Sequence, residues 1–306
     1  MLSSFFSKSK PINYIIVALY MLILIGLAYY KKGFVVEISS VLLFIGAVLL
    51  YILPMLMLHF IAQRNDLTNK GTHTILMYAF LTGMLPYSLV SFPILIANAF
   101  LILALWNLLL LRNEKHIKAK ILNTSIYIGI ASLAYFWSIG FLVLVFSAIF
   151  YFEPKNYRNW IIPIIGLLIV YLFANCFTLL FYDSFFSFYE YIAPVSFSFQ
   201  DYFIEDQLFS VGILSICILF FLSIFLLKFS RKAANIKPIL RLIIVCLILA
   251  IGIVIISPQK NTSELFFIAT PLAIIGTTYL EMEYHQLAKE INIWIFLLLP
   301  FTILLF

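Results

Sequence analysis

The sequence predicts an all-α, polytopic integral membrane protein, and three observations carry that prediction. Of its 306 residues, 64% are hydrophobic and only 10% charged, with a mean hydropathy of +1.12, too apolar for a chain folded in water. The apolar residues come in continuous runs of about 17 to 25, the length that crosses a hydrocarbon core of about 30 Å as a helix. Leu, Ile and Phe occupy every face of those runs, whereas a membrane β-barrel alternates apolar and polar residues over strands of about ten. About ten to eleven hydrophobic segments are expected, in one transmembrane domain over residues 1–306.

Residues 12–30 form the first span. The basic start at Lys8 and Lys10 is signal-like, but the run ends in Tyr29-Tyr30-Lys31-Lys32 rather than in small residues, so the span is expected to be retained. The loop 31–40 leads to span two at 38–62, where Pro54 removes a backbone donor and predicts a kink. Loop 63–73 carries Arg64 and Lys70. Span three covers 74–85, and Pro86-Tyr87-Ser88 with Phe92-Pro93 predicts a tight turn into span four at 94–111.

Between Lys120 and Glu153 lie 32 uncharged residues, which as one helix would reach about 48 Å at roughly 1.5 Å per residue. That is too long for one straight crossing. Both flanks are basic, with Arg112, Lys115, Lys118 and Lys120 before and Lys155 and Arg158 after, and basic loops mark the cytoplasmic side. The pattern predicts a short helical hairpin near 121–152 that turns at Trp137-Ser138-Ile139-Gly140 and returns to its own side; the alternative is one tilted helix with its flanks on opposite sides.

Span six, at 160–182, leads into the longest polar interval, 183–207. It holds Asp183, Glu190, Asp201, Glu205 and Asp206 among many Phe and Tyr and contains no base, which suggests an outer-face aromatic and acidic segment lying along the interface. Spans at 208–227 and 238–256 follow, then loop 259–264, a ninth span, loop 281–292 and a tenth span to the end. This alternation puts sixteen bases and six acids on one side, net +10, and three bases with seven acids on the other, net −4. The positive-inside rule makes the first side cytoplasmic, together with the N-terminus.

Signatures of soluble catalysis are missing: no H-E-x-x-H, G-x-S-x-G, Walker lysine loop or dinucleotide glycine pattern occurs. His59, His73, His116 and His285 are scattered without ligand spacing, so no metal is expected, and no cofactor motif is present. Cys176, Cys217 and Cys246 sit singly in apolar runs and read as small hydrophobes. No basic cluster carries the interleaved aromatics of a nucleic-acid site.

The outer side holds the candidate chemistry. Glu37, alone in the first outer loop, and Asp183 are candidate general bases. Lys31, Lys32 and Lys260, with Glu264, are candidate substrate-binding residues, since lysines hold phosphate as point charges; the paired lysines would equally snorkel to lipid headgroups. Phe185, Phe186, Phe188, Tyr189 and Tyr191 form a candidate protein-interaction face or an ordinary headgroup belt. Asn98, Asn107 and Asn175 would line a cavity or bond between helices. Buried charge is expected to be nearly absent, which argues against an ion relay.

The run Asn98-Ala99-Phe100-Leu101 to Arg112, the basic linker, Ile128-Gly129-Ile130-Ala131-Ser132-Leu133, Ile161-Ile162-Pro163-Ile164-Ile165-Gly166 and the late Glu264-Leu265-Phe266-Phe267 to Pro271-Leu272 resemble the middle and end of C-type glycosyltransferases. Those multispanning enzymes use polyprenyl-phosphate sugars at the outer side of the membrane. The resemblance implies a polyprenyl-linked sugar as substrate and the bacterial inner membrane as location. Such enzymes carry a catalytic acid, often paired, in a longer first outer loop; here Glu37 stands alone in about ten residues, and no soluble C-terminal domain is expected within these 306 residues. More closely, SSFFSKSKPINYI, RNDLTNKGTH and NAFLILALWNLLLLR resemble an uncharacterised family of Bacteroidota membrane proteins of this size, which implies no activity. A different class of function, a non-catalytic subunit of an envelope assembly or export complex, fits the lack of paired acids and the aromatic interval.

Overall fold

The computed structural model describes residues 5–69, 71–258, 260–282 and 286–305. Among these there are helices and no strands: α1 Pro11–Lys31, α2 Ile38–Arg64, α3 His73–Gly83, α4 Pro86–Val90, α5 Phe92–Leu109, α6 Ile117–Ala134, α7 Leu142–Phe152, α8 Arg158–Tyr182, α9 Phe188–Tyr191, α10 Glu205–Phe229, α11 Lys237–Ile256, α12 Phe266–Leu280 and α13 Gln286–Leu305. Seven described helices are long and apolar enough to cross a membrane. The chain is a multi-pass helical membrane protein, as the apolar runs require, because helices satisfy every backbone group where water cannot.

Proline and glycine set many helix ends. Pro11, Pro86, Pro93 and Pro238 stand in first turns, where a missing N–H costs nothing. Gly33, at φ +81°, ends α1 in the left-handed conformation that glycine adopts without strain. At the centre, α3 and α12 are buried along their whole length and pack on each other, so both are apolar on all faces. Around them lie α1, α2, α5, α10, α11 and α13. Asn98 ties three helices together: its amide donates to Tyr78 at 3.1 Å and accepts from Thr270 at 2.8 Å, so it bonds between helices. Asn107 instead bonds back to Leu103 within its own helix.

The uncharged run breaks where expected, at a 3-10 turn over Phe136–Phe141. Its direction follows from packing partners. A Cβ placed on Gly166 would stand 2.5 Å from Ser125 Cβ, one on Gly129 would stand 2.8 Å from Val170 Cγ2, and Ser132 bonds Tyr171 at 2.9 Å. The partner numbers rise together, so α6 and α8 run parallel. The chain between them must therefore return, and α7 does so, with Phe146 stacked on Trp160 at the start of α8. Both basic flanks thus lie at one end of the bundle, and the single tilted helix is excluded.

The remaining contacts sort the loops into two faces. At one, Asn13 donates to the Phe5 and Lys8 carbonyls and to Thr72, Tyr14 bonds His59, and the Asn69 N–H donates to Glu281 at 2.7 Å. Phe60 stacked on Trp106 adds the end of α5 to this basic face. Lys70 and His285 lie outside the described residues. At the opposite face, Ser88 donates to the Thr262 and Ser263 carbonyls, Tyr135 bonds Ser257, and the Ser196 N–H donates to Ile256. That second face gathers the ends of α1, α6, α8 and α11 and the starts of α5, α10 and α12.

Candidate functional site

Residues 257–258 and 260–265, joining α11 to α12, carry several of this face's contacts. Lys260 is 1% exposed and Glu264 fully buried, although both belong to a loop between spans. Two effects hold the Lys260 ammonium. Its Nζ donates to the Val254 and Ile255 carbonyls at 2.6 and 2.7 Å, capping the C-terminus of α11, where carbonyls lack helical partners and the dipole is negative. The Phe199 ring covers it at 4.9 Å, a cation–π contact. Burial pulls the Lys260 pKa below its ordinary value, and the nearby Glu264 charge opposes that shift.

Glu264 accepts a hydrogen bond from the Tyr202 hydroxyl through Oε1, while Oε2 has no partner. Thr262, two residues earlier, is buried, carries an unpartnered Oγ1 and adopts φ +64°. A β-branched residue in that region is strained, and such strain concentrates where a loop has to hold a fixed shape. Burial, then the Glu264 charge, raises the Tyr202 pKa far above the ordinary phenol range.

The cover comes from the aromatic and acidic interval. Rather than lying flat on the interface, its second half turns inward: Tyr202 is buried, Phe199 sits over Lys260, and the Gln207 amide, oriented with nitrogen towards carbonyls, donates to Lys260 O at 2.9 Å and Asp201 O at 3.1 Å. The first half divides. Phe186 and Tyr191 turn towards α6 and α8, Tyr191 donating to the Ser132 carbonyl, while Phe185 is 78% and Tyr189 92% exposed. Asn175 Oδ1 accepts the Phe186 N–H at 3.0 Å, fastening the start of this segment to α8. The side chain of Phe188 lies outside the described residues.

Beside the loop opens a cavity of about 660 Å³ between the end of α1, α4 and the start of α5. Its lining mixes the polar and basic Lys31, Lys32, Tyr87, Ser91 and Asn261 with the apolar Ala28, Val90, Phe92 and Ile303. Its size suits a small molecule or the head of a lipid. Ser263 Oγ donates to Asn261 Oδ1 at 2.5 Å, linking the cavity wall to the stretch that carries Glu264.

The structure therefore brings Lys31 and Lys32 together with loop 257–265, which carries Lys260 and Glu264. It does not bring Glu37 or Asp183 into that cluster. Glu37 is exposed at the start of α2, five residues after Lys32. Asp183 is exposed at the end of α8, which packs on α6 and α7. Sequence reasoning missed Tyr202, Phe199, Gln207, Asn261 and Thr262. The usable signal was Lys260-Asn261-Thr262-Ser263-Glu264, two charges and three polar residues packed between apolar runs. Among the described residues no cluster of three His, Cys, Asp or Glu could hold a metal ion.

Comparison of the chain with protein-family models, with curated proteins and with solved structures gave no match.

Proposed function

We propose that this protein handles a polyprenyl-linked sugar phosphate at its site face, as a glycosyltransferase-like membrane protein. The observation that carries the reading is the cavity at the bundle's end whose lining combines Lys31, Lys32 and Asn261 with apolar residues, a chemistry that suits a phosphate attached to a hydrocarbon chain. The excess of bases on the opposite face supports, by the positive-inside rule, an extracytoplasmic site face, and the resemblance to C-type glycosyltransferases supports the inner membrane of a bacterium. In the transfer, an acceptor hydroxyl loses its proton to a base outside the cavity lining, for which Glu37, five residues after Lys32, is the candidate and Asp183, on α8, stands apart; the acceptor oxygen bonds to the anomeric carbon, and the bond from that carbon to the phosphate oxygen breaks. The lysines receive the lipid phosphate left behind.

The test is binding of undecaprenyl phosphate to the protein in nanodiscs. A lysine near a lipid phosphate contributes about 1 kcal/mol, so Lys31→Gln with Lys32→Gln weakens binding about thirtyfold. Equal affinity for the parent and the double variant refutes phosphate binding in this cavity. The second reading, a non-catalytic subunit of an envelope complex, draws on the exposed rings of Phe185 and Tyr189. A stoichiometric partner recovered after gentle solubilisation, lost on Phe185→Ala with Tyr189→Ala, supports it.

A further inference from the structure

The buried side of loop 257–265 is unexplained by phosphate binding. Lys260 is used up by the α11 carbonyls and the Phe199 ring, and its ammonium does not line the cavity. Glu264 Oε2 and Thr262 Oγ1 are buried without partners, a costly arrangement unless something else completes them. Tyr202 shows what this carboxylate accepts, since a hydroxyl already occupies Oε1. Around it stand rings, Phe199 and Tyr202 from the cover and Tyr135 against Phe267 at 5.3 Å. A carboxylate with free hydrogen-bonding capacity among aromatic faces is the chemistry that recognises a polyhydroxyl ring.

Building on the lipid-phosphate reading of the cavity, we infer that Glu264 and Thr262 form a second subsite that binds hydroxyls of the sugar carried by the lipid, and that Phe199 and Tyr202 are its cover. Asn261 lines the phosphate cavity and is three residues from Glu264, so phosphate and sugar are read by two sides of one loop. Ligand hydroxyls donate to Glu264 Oε2 and pair with Thr262 Oγ1, and the cover shifts as they do.

The experiment compares undecaprenyl phosphate with undecaprenyl phosphate-glucose, each titrated against the protein in nanodiscs. The parent is expected to bind the glycosylated lipid at least tenfold more tightly, a difference of about 1.4 kcal/mol. Glu264→Gln keeps an acceptor for Tyr202, and it is expected to bind the bare lipid as the parent does while losing the preference. Retention of the preference in Glu264→Gln, or equal binding of both lipids by the parent, overturns the subsite and leaves the phosphate cavity standing. Binding of neither lipid removes both. A measurement on the parent needs no variant: amide hydrogen exchange across residues 196–207 should change with the glycosylated lipid and not with the bare one, and an identical response to both counts against the cover.

Discussion

Replacing Lys260 with Met tests whether the buried loop is held by charge. The substitution keeps most of the stem and removes the ammonium, so the Val254 and Ile255 carbonyls lose their donors at 2.6 and 2.7 Å, and Phe199 loses its cation. Glu264 is left fully buried without the opposite charge that stabilises it. Leaving two buried carbonyls without their charged donor costs about 1–3 kcal/mol each, and with the loss of the positive charge near Glu264 the total comes to about 3–5 kcal/mol. At roughly 2 °C per kcal/mol for a chain of this size, Lys260→Met should lower the unfolding midpoint by roughly 6–10 °C in nanodiscs. The double variant Lys260→Met with Glu264→Gln should recover the part of that loss owed to the Glu264 charge, a coupling of at least about 0.5 kcal/mol between the positions. Thermal unfolding followed by intrinsic fluorescence reads both numbers. A single variant within about 1 °C of the parent, or strictly additive losses in the double variant, would refute the account of Lys260 as a charge anchored between helix terminus and carboxylate.

Other predictions follow from the packing and the two faces. Gly166→Ala forces a Cβ to within 2.5 Å of Ser125 Cβ and should cost about 1–3 kcal/mol, whereas Gly212→Ala, with nothing within 4 Å, should cost nothing; equal midpoints for the two would remove the close α6–α8 contact. Burial raises the Glu281 pKa to about 7, with the Asn69 N–H and the charges of Lys232 and Lys289 opposing the shift. Between about 4.5 and 7 the folded protein therefore holds a proton that the unfolded chain has released, so stability should fall as pH rises through this window, and Glu281→Gln should flatten the profile; a stability that rises there contradicts the burial. With exposed Cys176 replaced by Ala and Cys217 and Cys246 buried, a cysteine introduced at Asn113 or at Lys155 should react with an impermeant maleimide from one side of the membrane and one at Ser198 from the other. Labelling of Asn113 and Lys155 from opposite sides would break the hairpin.

Much of the fold was legible because the bilayer is a severe solvent. Apolar runs of helical length could only be helices, and the uncharged stretch between two basic flanks was too long to cross once, so its break at Phe136–Phe141 could be placed from length and charge alone. The start of α5 at Phe92-Pro93 was likewise written in local chemistry, since proline fixes the first turn. The site was legible in part. Lys31 and Lys32 stood out as bases on an otherwise acidic side, but nothing local distinguishes lysines that line a cavity from lysines that snorkel.

What the sequence determined by itself was the class of molecule, the approximate segments and the asymmetry of its two faces, all set by the free energy of transferring side chains between water and lipid. Only the tertiary structure decided that Lys260 and Glu264 are buried, that Tyr202 and Phe199 cover them, and that Lys31, Lys32 and Asn261 share a cavity. Those pairings join residues separated by scores to hundreds of positions: Tyr202 lies 62 residues before Glu264, and Ser88 lies 174 before Thr262. Hydropathy and charge counts carry no information about which loop of a face packs on which. That choice is made by helix contacts such as Ser125 against Gly166, where the loss of one side chain lets two backbones approach.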